Sequence, residues 1–200
     1  MSLQNRINPY GEICFSDQRG TLMGNRGNLH NAQKEIVRKH QLKRWIICLL
    51  EFKGRHQNVM TPGFYTELFF LDEATALAAG HRPCGECQYP RFKAFVNLWK
   101  TANNRQNIDL KQMDEQLHLE RTNKELPTHA IGELPDGVFI EYENQPYLVK
   151  DNKIWEWAFD GYRNPLDIAQ DLVVKVITPM SIVRTITSGF DAGVHQSIRL

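Results

Sequence analysis

Apolar residues in this chain fall in short blocks whose spacing changes from strand-like to helix-like and back again. The first forty residues hold few of them. Glycines at positions 11, 20, 24 and 27 break the chain into loop, and a helix is expected only over 32–40, where Asn31 can cap a segment carrying Ile36 and Val37. Residues 45–52, opening Trp45-Ile46-Ile47-Cys48-Leu49-Leu50, are apolar on both faces, as a central strand requires. Turn residues between Lys53 and Gly63 lead to a second strand over 65–71, and antiparallel pairing of the two is the simplest arrangement.

The period then lengthens. Asp72 stands where a helix N-cap belongs, Ala74, Ala76, Leu77, Ala78 and Ala79 favour helix, and Gly80 supplies a left-handed stop. Pro90 marks the first turn of another helix, with Phe92, Phe95, Val96 and Trp99 at helical spacing, ending about Thr101. A polar stretch over 102–109 precedes a more charged helix over 109–122. From Gly137 short strands return, over 138–142, 146–150, 154–159 and 172–177, parted by turns such as Asn144-Gln145 and Asp151-Asn152. A last helix over 180–188 has Thr178 as its cap, Pro179 at its first position and Gly189 as its stop. Strands at both ends with helices between predict an α+β fold with antiparallel elements at both ends, read as a single domain over 1–200. If it subdivides, a helix-rich lobe over 1–122 and a β-rich lobe over 137–200 meet at the polar stretch between them.

With 42% hydrophobic residues the chain can bury a core, and no apolar run reaches the roughly 18 residues of a membrane span. The start lacks the apolar stretch of a signal peptide, so a cytoplasmic location is expected, with its four cysteines reduced. A net charge of +1 hides an asymmetry: residues 1–60 hold ten Lys/Arg against four Asp/Glu, a balance of +6, leaving −5 for the rest. Such a split can draw a polyanion to one face, which points to a nucleic acid or nucleotide partner.

Cys84-Gly85-Glu86-Cys87 is the sharpest chemical signal. A Cys-x-x-Cys turn brings two soft sulfur ligands within reach of one metal ion, or two thiols within reach of each other. Zinc needs further ligands, for which His56 and His81 are the expected partners, while Cys48 in its apolar strand reads as a small hydrophobe. A redox pair is the alternative, although such pairs usually open a helix after a strand, and this one follows a helix.

Residues 68–87, including Ala78-Ala79-Gly80-His81-Arg82-Pro83-Cys84-Gly85-Glu86-Cys87, resemble the second half of the zinc-binding domain of Ada-type DNA alkylation-repair proteins. The resemblance implies a strand and an Ala-rich helix that deliver a Cys-x-x-Cys turn to a metal. In that family a preceding Cys-x-x-x-Cys completes the ligand set and accepts the methyl group; Lys53 and Gln57 fall at those places here, so methyl transfer is not implied. Over nearly its whole length the chain also resembles an uncharacterised bacterial family found in cyanobacteria and proteobacteria. That likeness rests on the segments 19–27 and 65–87, on Leu117-His118-Leu119-Glu120-Arg121, and on Leu134-Pro135-Asp136-Gly137, and it implies an α+β fold.

Two further constellations carry chemistry. On the helix over 109–122, Asp114, His118 and Arg121 share a face, and a carboxylate beside an imidazole would orient it and raise its pKa, as a general base needs. Upstream, the glycine-rich stretch holds Arg19 and Arg26, which are expected to clamp a phosphate approached by glycine backbone amides. Together these predict a phosphate-binding protein, as a hydrolase if it is an enzyme, with His118 as base and Asp114 orienting it. A non-enzymatic structural or interaction protein and a thiol redox protein are the alternatives.

Overall fold

The computed structural model describes residues 2–54 and 58–198. Its strands form two six-stranded sheets. The first is assembled from β1 (Gln4–Ile7), β2 (Ile13–Phe15), β3 (Leu22–Asn25), β4 (Ile46–Cys48) and β5 (Leu68–Phe70). It is completed, after helix α1 (Glu73–Ala78), by the two-residue strand β6 (Arg82–Pro83), in the order β2-β1-β5-β3-β4-β6. Helices α2 (Tyr89–Ala102) and α3 (Leu110–Thr122) follow. The second sheet combines β7 (Thr128–Ala130), β8 (Phe139–Tyr142), β9 (Gln145–Lys150), β10 (Lys153–Ala158), β11 (Gly161–Asp167) and β12 (Val173–Val176) in the order β11-β10-β9-β8-β12-β7, and α4 (Met180–Thr187) closes the chain. Strands and helices together make this an α+β fold. One hydrophobic cluster runs through both sheets, from Ile7 and Phe70 to Val138 and Trp157. Among the described residues no helix is long and apolar enough to cross a membrane.

Between Asp72 and Gly189, the helices and strands that the pattern of apolar residues predicts form close to their expected places. In the first seventy residues only β4 and β5 fall within expected strands, and β1, β2 and β3 arise where loop was expected. No helix forms over 32–40: the Asn31 side chain accepts from the amides of Gln33 and Glu35, and a bridge joins His30 to Ile36. This local turn satisfies the backbone at lower cost than a helix with so few apolar anchors. The expected strand over 45–52 contracts to three residues, leaving Leu49 and Leu50 exposed.

Nor do β4 and β5 pair with each other. Strand β3, which rises out of the glycine-rich stretch, lies between them and is antiparallel to both. Its Gly24 makes this possible, because a Cβ there would stand 2.5 Å from the Phe70 ring. Strand β11 and the short β7 also escape the sequence pattern. They are the two edges of the second sheet, where a strand can carry Asn164 and Pro165 because one side needs no partner. Thr178 does not cap α4; its hydroxyl accepts from the Phe139 amide instead.

One carboxylate joins these parts. Asp72 caps α1 through Oδ1, which accepts from the Thr75 amide at 2.8 Å and hydroxyl at 2.7 Å. Its Oδ2 accepts from the Tyr162 hydroxyl of β11 at 2.7 Å and from the His195 amide of the C-terminal tail at 2.8 Å. Burial pushes this carboxyl above its ordinary range, and the four donors pull it back. Beside it Glu73 accepts from the Gly193 amide and pairs with Arg91 of α2. Asp72→Ala removes a helix cap and leaves buried donors unanswered, which should cost about 3 kcal/mol of unfolding free energy. Urea denaturation tests this, and a loss below about 1 kcal/mol would show that the junction does not depend on the carboxylate.

Candidate functional site

The ladder between β4 and β6 is parallel and very short: Ile46 faces Arg82 and Ile47 faces Pro83. The Arg82 amide donates to the Trp45 carbonyl at 3.2 Å, and the Cys84 amide to the Ile47 carbonyl at 2.9 Å. At the far end of this ladder Cys48 comes level with Cys84. The turn then folds back, with the Gln88 side chain donating to the Ile47 carbonyl, and brings Cys87 in as well. The sulfurs of Cys48, Cys84 and Cys87 all lie within 4.8 Å of one another. The Leu49 amide donates to the Cys87 sulfur and the Glu86 amide to the Cys84 sulfur, each at 3.4 Å. Those N–H groups favour thiolate over thiol.

The three sulfurs differ in proton affinity. The Cys84 thiol is pulled down to about 5, chiefly by a hydrogen bond from Cys48 and further by the amides of Cys87 and Glu86, against the opposing effect of burial. Cys48 is pushed up by that same bond and by burial; Cys87 is pushed up by burial first. Thiolate character is thus favoured at Cys84 and disfavoured at Cys48 and Cys87, and a metal would displace protons from the cluster.

Cys48 is the residue sequence reasoning missed. Its apolar strand masked it, and only the β4–β6 pairing, which no local pattern encodes, reveals it as a partner. The resemblance to the Ada domain placed Lys53 and Gln57 where ligands belong. The sulfur that joins Cys84 and Cys87 comes instead from Cys48, earlier in the chain. Gln57 and the proposed ligand His56 lie outside the described residues. His81 does not join the sulfurs: it is wholly buried at the other end of the ladder, its ring 4.8 Å from Phe70 and 5.1 Å from Trp45. Cys14 lies on β2, in a different part of the first sheet.

That other end forms a second cluster, built around the Trp45 ring. The guanidinium carbons of Arg26 and Arg121 lie 3.8 and 3.9 Å from its centroid, within cation–π range. Arg26 donates through Nε to His81 Nε2 at 3.1 Å and through Nη1 to the Gly11 carbonyl at 2.9 Å. Arg121 donates to the carbonyls of Gly80, at 2.7 Å, and Lys43. Gly80 must be glycine, since its φ is +75° and a Cβ would meet the Arg121 side chain at 2.6 Å. At the rim, the half-buried rings of His40 and His118 meet edge to face at 4.8 Å.

The expected acid–base pair is not formed. Asp114 is buried and held by both Nε and Nη2 of Arg82, at 2.7 and 2.8 Å, so it does not orient His118. His118 instead has Arg121 Nη2 at 3.3 Å from its Nδ1. Its proton affinity falls, through burial and then the charges of Arg121, His40 and Lys43, where a carboxylate neighbour would have raised it. His118 and Arg121 do share a site, while Asp114 serves Arg82. The two candidate phosphate ligands also part company. Arg19 is exposed, on a broad surface cleft with Arg6, Asp17 and Lys53, whereas Arg26 is wholly buried against Trp45. One guanidinium faces solvent and the other is engaged in the interior by Trp45, His81 and the Gly11 carbonyl.

His40, His81 and His118 all titrate below the ordinary 6.5, each because burial and neighbouring arginines disfavour the imidazolium. The unfolded chain therefore takes up protons first. Stability present above about pH 6.5 should be lost as the pH falls through that value toward the folded-state ones. Urea midpoints between pH 8 and 5 measure this, and His118→Gln should flatten the decline; a midpoint that rises on acidification would contradict the assignment.

No family model matches the chain, and neither a curated protein nor a solved structure is similar to it at a significant level.

Proposed function

We propose that this chain is a zinc-binding protein whose ligands are Cys48, Cys84 and Cys87. The carrying observation is the convergence of three sulfurs, one from β4 and two from the segment after β6, within 4.8 Å. Zn–S bonds of about 2.3 Å in tetrahedral geometry place sulfurs roughly 3.8 Å apart, so each need move by no more than about an ångström. Two backbone N–H···S bonds already orient the sulfur set, and they favour the thiolate form that zinc requires, most of all at Cys84.

Three thiolates leave one zinc position for a fourth donor. A bound zinc would supply cross-linking of β4 to the turn before α2, and a Lewis-acidic or thiolate-nucleophile centre at that open position. The chain's part is to hold the sulfurs close. The same cluster supports a thiol redox role, in which two of the thiols would form a disulfide by passing two electrons and two protons to a disulfide substrate, reducing it to two thiols, and metal analysis separates the two readings.

Protein purified without chelator should carry about one zinc per chain. Cys48→Ser and Cys84→Ser should each lower that content severalfold, and Cys14→Ser should leave it unchanged. Cobalt substitution should give sulfur-to-metal absorption that weakens in Cys48→Ser. Zinc content unaffected by Cys48→Ser would remove the third ligand, and metal-free protein that takes up no zinc on titration would defeat the reading. Zinc uptake by metal-free protein should also release protons, because Cys48 and Cys87 are held as thiols.

A further inference from the structure

Arg26 is an arginine in an unusual position: wholly buried, and with no carboxylate paired to it among the described residues. The charge that acts on it is another cation, Arg121, whose own burial outweighs what it gains from Asp114, a gain that Arg82 opposes. A guanidinium does not shed its proton to escape such a site. Aromatic face and backbone carbonyls answer part of the charge, but not every donor. Arg26 Nη2 and Arg121 Nε are both buried and without a hydrogen-bond partner, and both belong to this one cluster, where His81 Nδ1 is also buried beside the backbone of Ala79 and Ala76. Buried donors left unanswered are rare, and a group of them around two cations marks a site made for an acceptor carrying negative charge.

The cluster also reaches the surface. Beside the buried arginines stand the half-buried imidazoles of His40 and His118, with Arg121 linking the rim to the interior. His40 itself sits in the exposed segment Arg38-Lys39-His40-Gln41-Leu42-Lys43-Arg44, which has four cations and no acid. Of the carboxylates near that rim, Glu115 pairs with Lys43 at 3.7 Å and Asp114 is held by Arg82. This face is predominantly basic, with two imidazoles at the rim and the guanidinium pair behind them, a setting that favours an anion.

We infer that the His40–His118–Arg121 rim, backed by Arg26 and Trp45, binds the phosphate group of a small ligand. Arginine forks and imidazole N–H groups match tetrahedral phosphate oxygens, and the charge-assisted bonds they form are the strong ones. The site is independent of the thiol cluster and is a different set of residues from the Arg19–Arg26 clamp.

The test uses the full chain, zinc-loaded if it binds zinc. Inorganic phosphate and adenosine monophosphate are titrated by calorimetry, and thermal unfolding is followed in each against chloride at equal ionic strength. Both ligands should raise the unfolding temperature beyond the chloride control. His40→Ala and His118→Ala, which alter half-buried rings and should keep the fold by circular dichroism, should each weaken phosphate binding about tenfold. Arg121→Lys keeps the charge but loses the fork, and should weaken binding as well. Equal affinity for the two ligands assigns recognition to phosphate alone, whereas tighter nucleotide binding adds a contact to sugar or base; either outcome supports the site. No phosphate-specific stabilisation in the wild-type chain, or unchanged affinity in both histidine variants, would overturn it.

Discussion

The Asp72 carboxylate is the point through which the rest of the structure is held. It ends β5's excursion, starts α1, receives a hydroxyl from the second sheet and an amide from the tail. Its burial would be unfavourable without all four donors, so the contacts stand or fall together. What depends on it is position. With α1 fixed, Gly80 turns the chain at a set place, and the short strand β6 emerges beside β4. Both candidate sites are built on that two-residue ladder, one at each end.

The ends differ in chemistry because their neighbours differ. At the Cys48 end the β4–β6 ladder runs into a turn whose amides point at sulfur, in a half-exposed setting that suits a soft metal. At the Trp45 end the chain is closed in by Arg26 from the glycine-rich stretch and Arg121 from α3, and the setting is cationic and aromatic. The ends are about three residues apart along the strand, which at roughly 3.3 Å per residue is on the order of 10 Å.

Elements whose signals are local were legible in the sequence. Helix α1 has its capping Asp72 and stopping Gly80; α2 its Pro90 and apolar period; α3 its Asp109, which forms a capping box with Gln112. The strand order was not legible, because β3 enters between β4 and β5 through tertiary packing on Gly24. The Cys84–Cys87 turn was visible as a candidate, but its third sulfur was not, since Cys48 is distinguished from an ordinary core residue only by what crosses from β6. The Asp114–His118 pairing was reasonable from helical spacing. It failed because Arg82 offers Asp114 a bidentate partner that an imidazole cannot match.

The bond from Arg26 Nε to His81 Nε2 has a consequence for the histidine beside the Cys-x-x-Cys turn. A guanidinium can only donate, so Nε2 must present its lone pair and the ring proton must reside on Nδ1. The ring is thereby locked in one neutral tautomer. Nε2 is committed to Arg26, and Nδ1, carrying the proton, has no lone pair to offer a metal. A histidine whose place in the sequence suggests a ligand is thus chemically spent, and serves as a fixed dipole that holds an arginine in the interior.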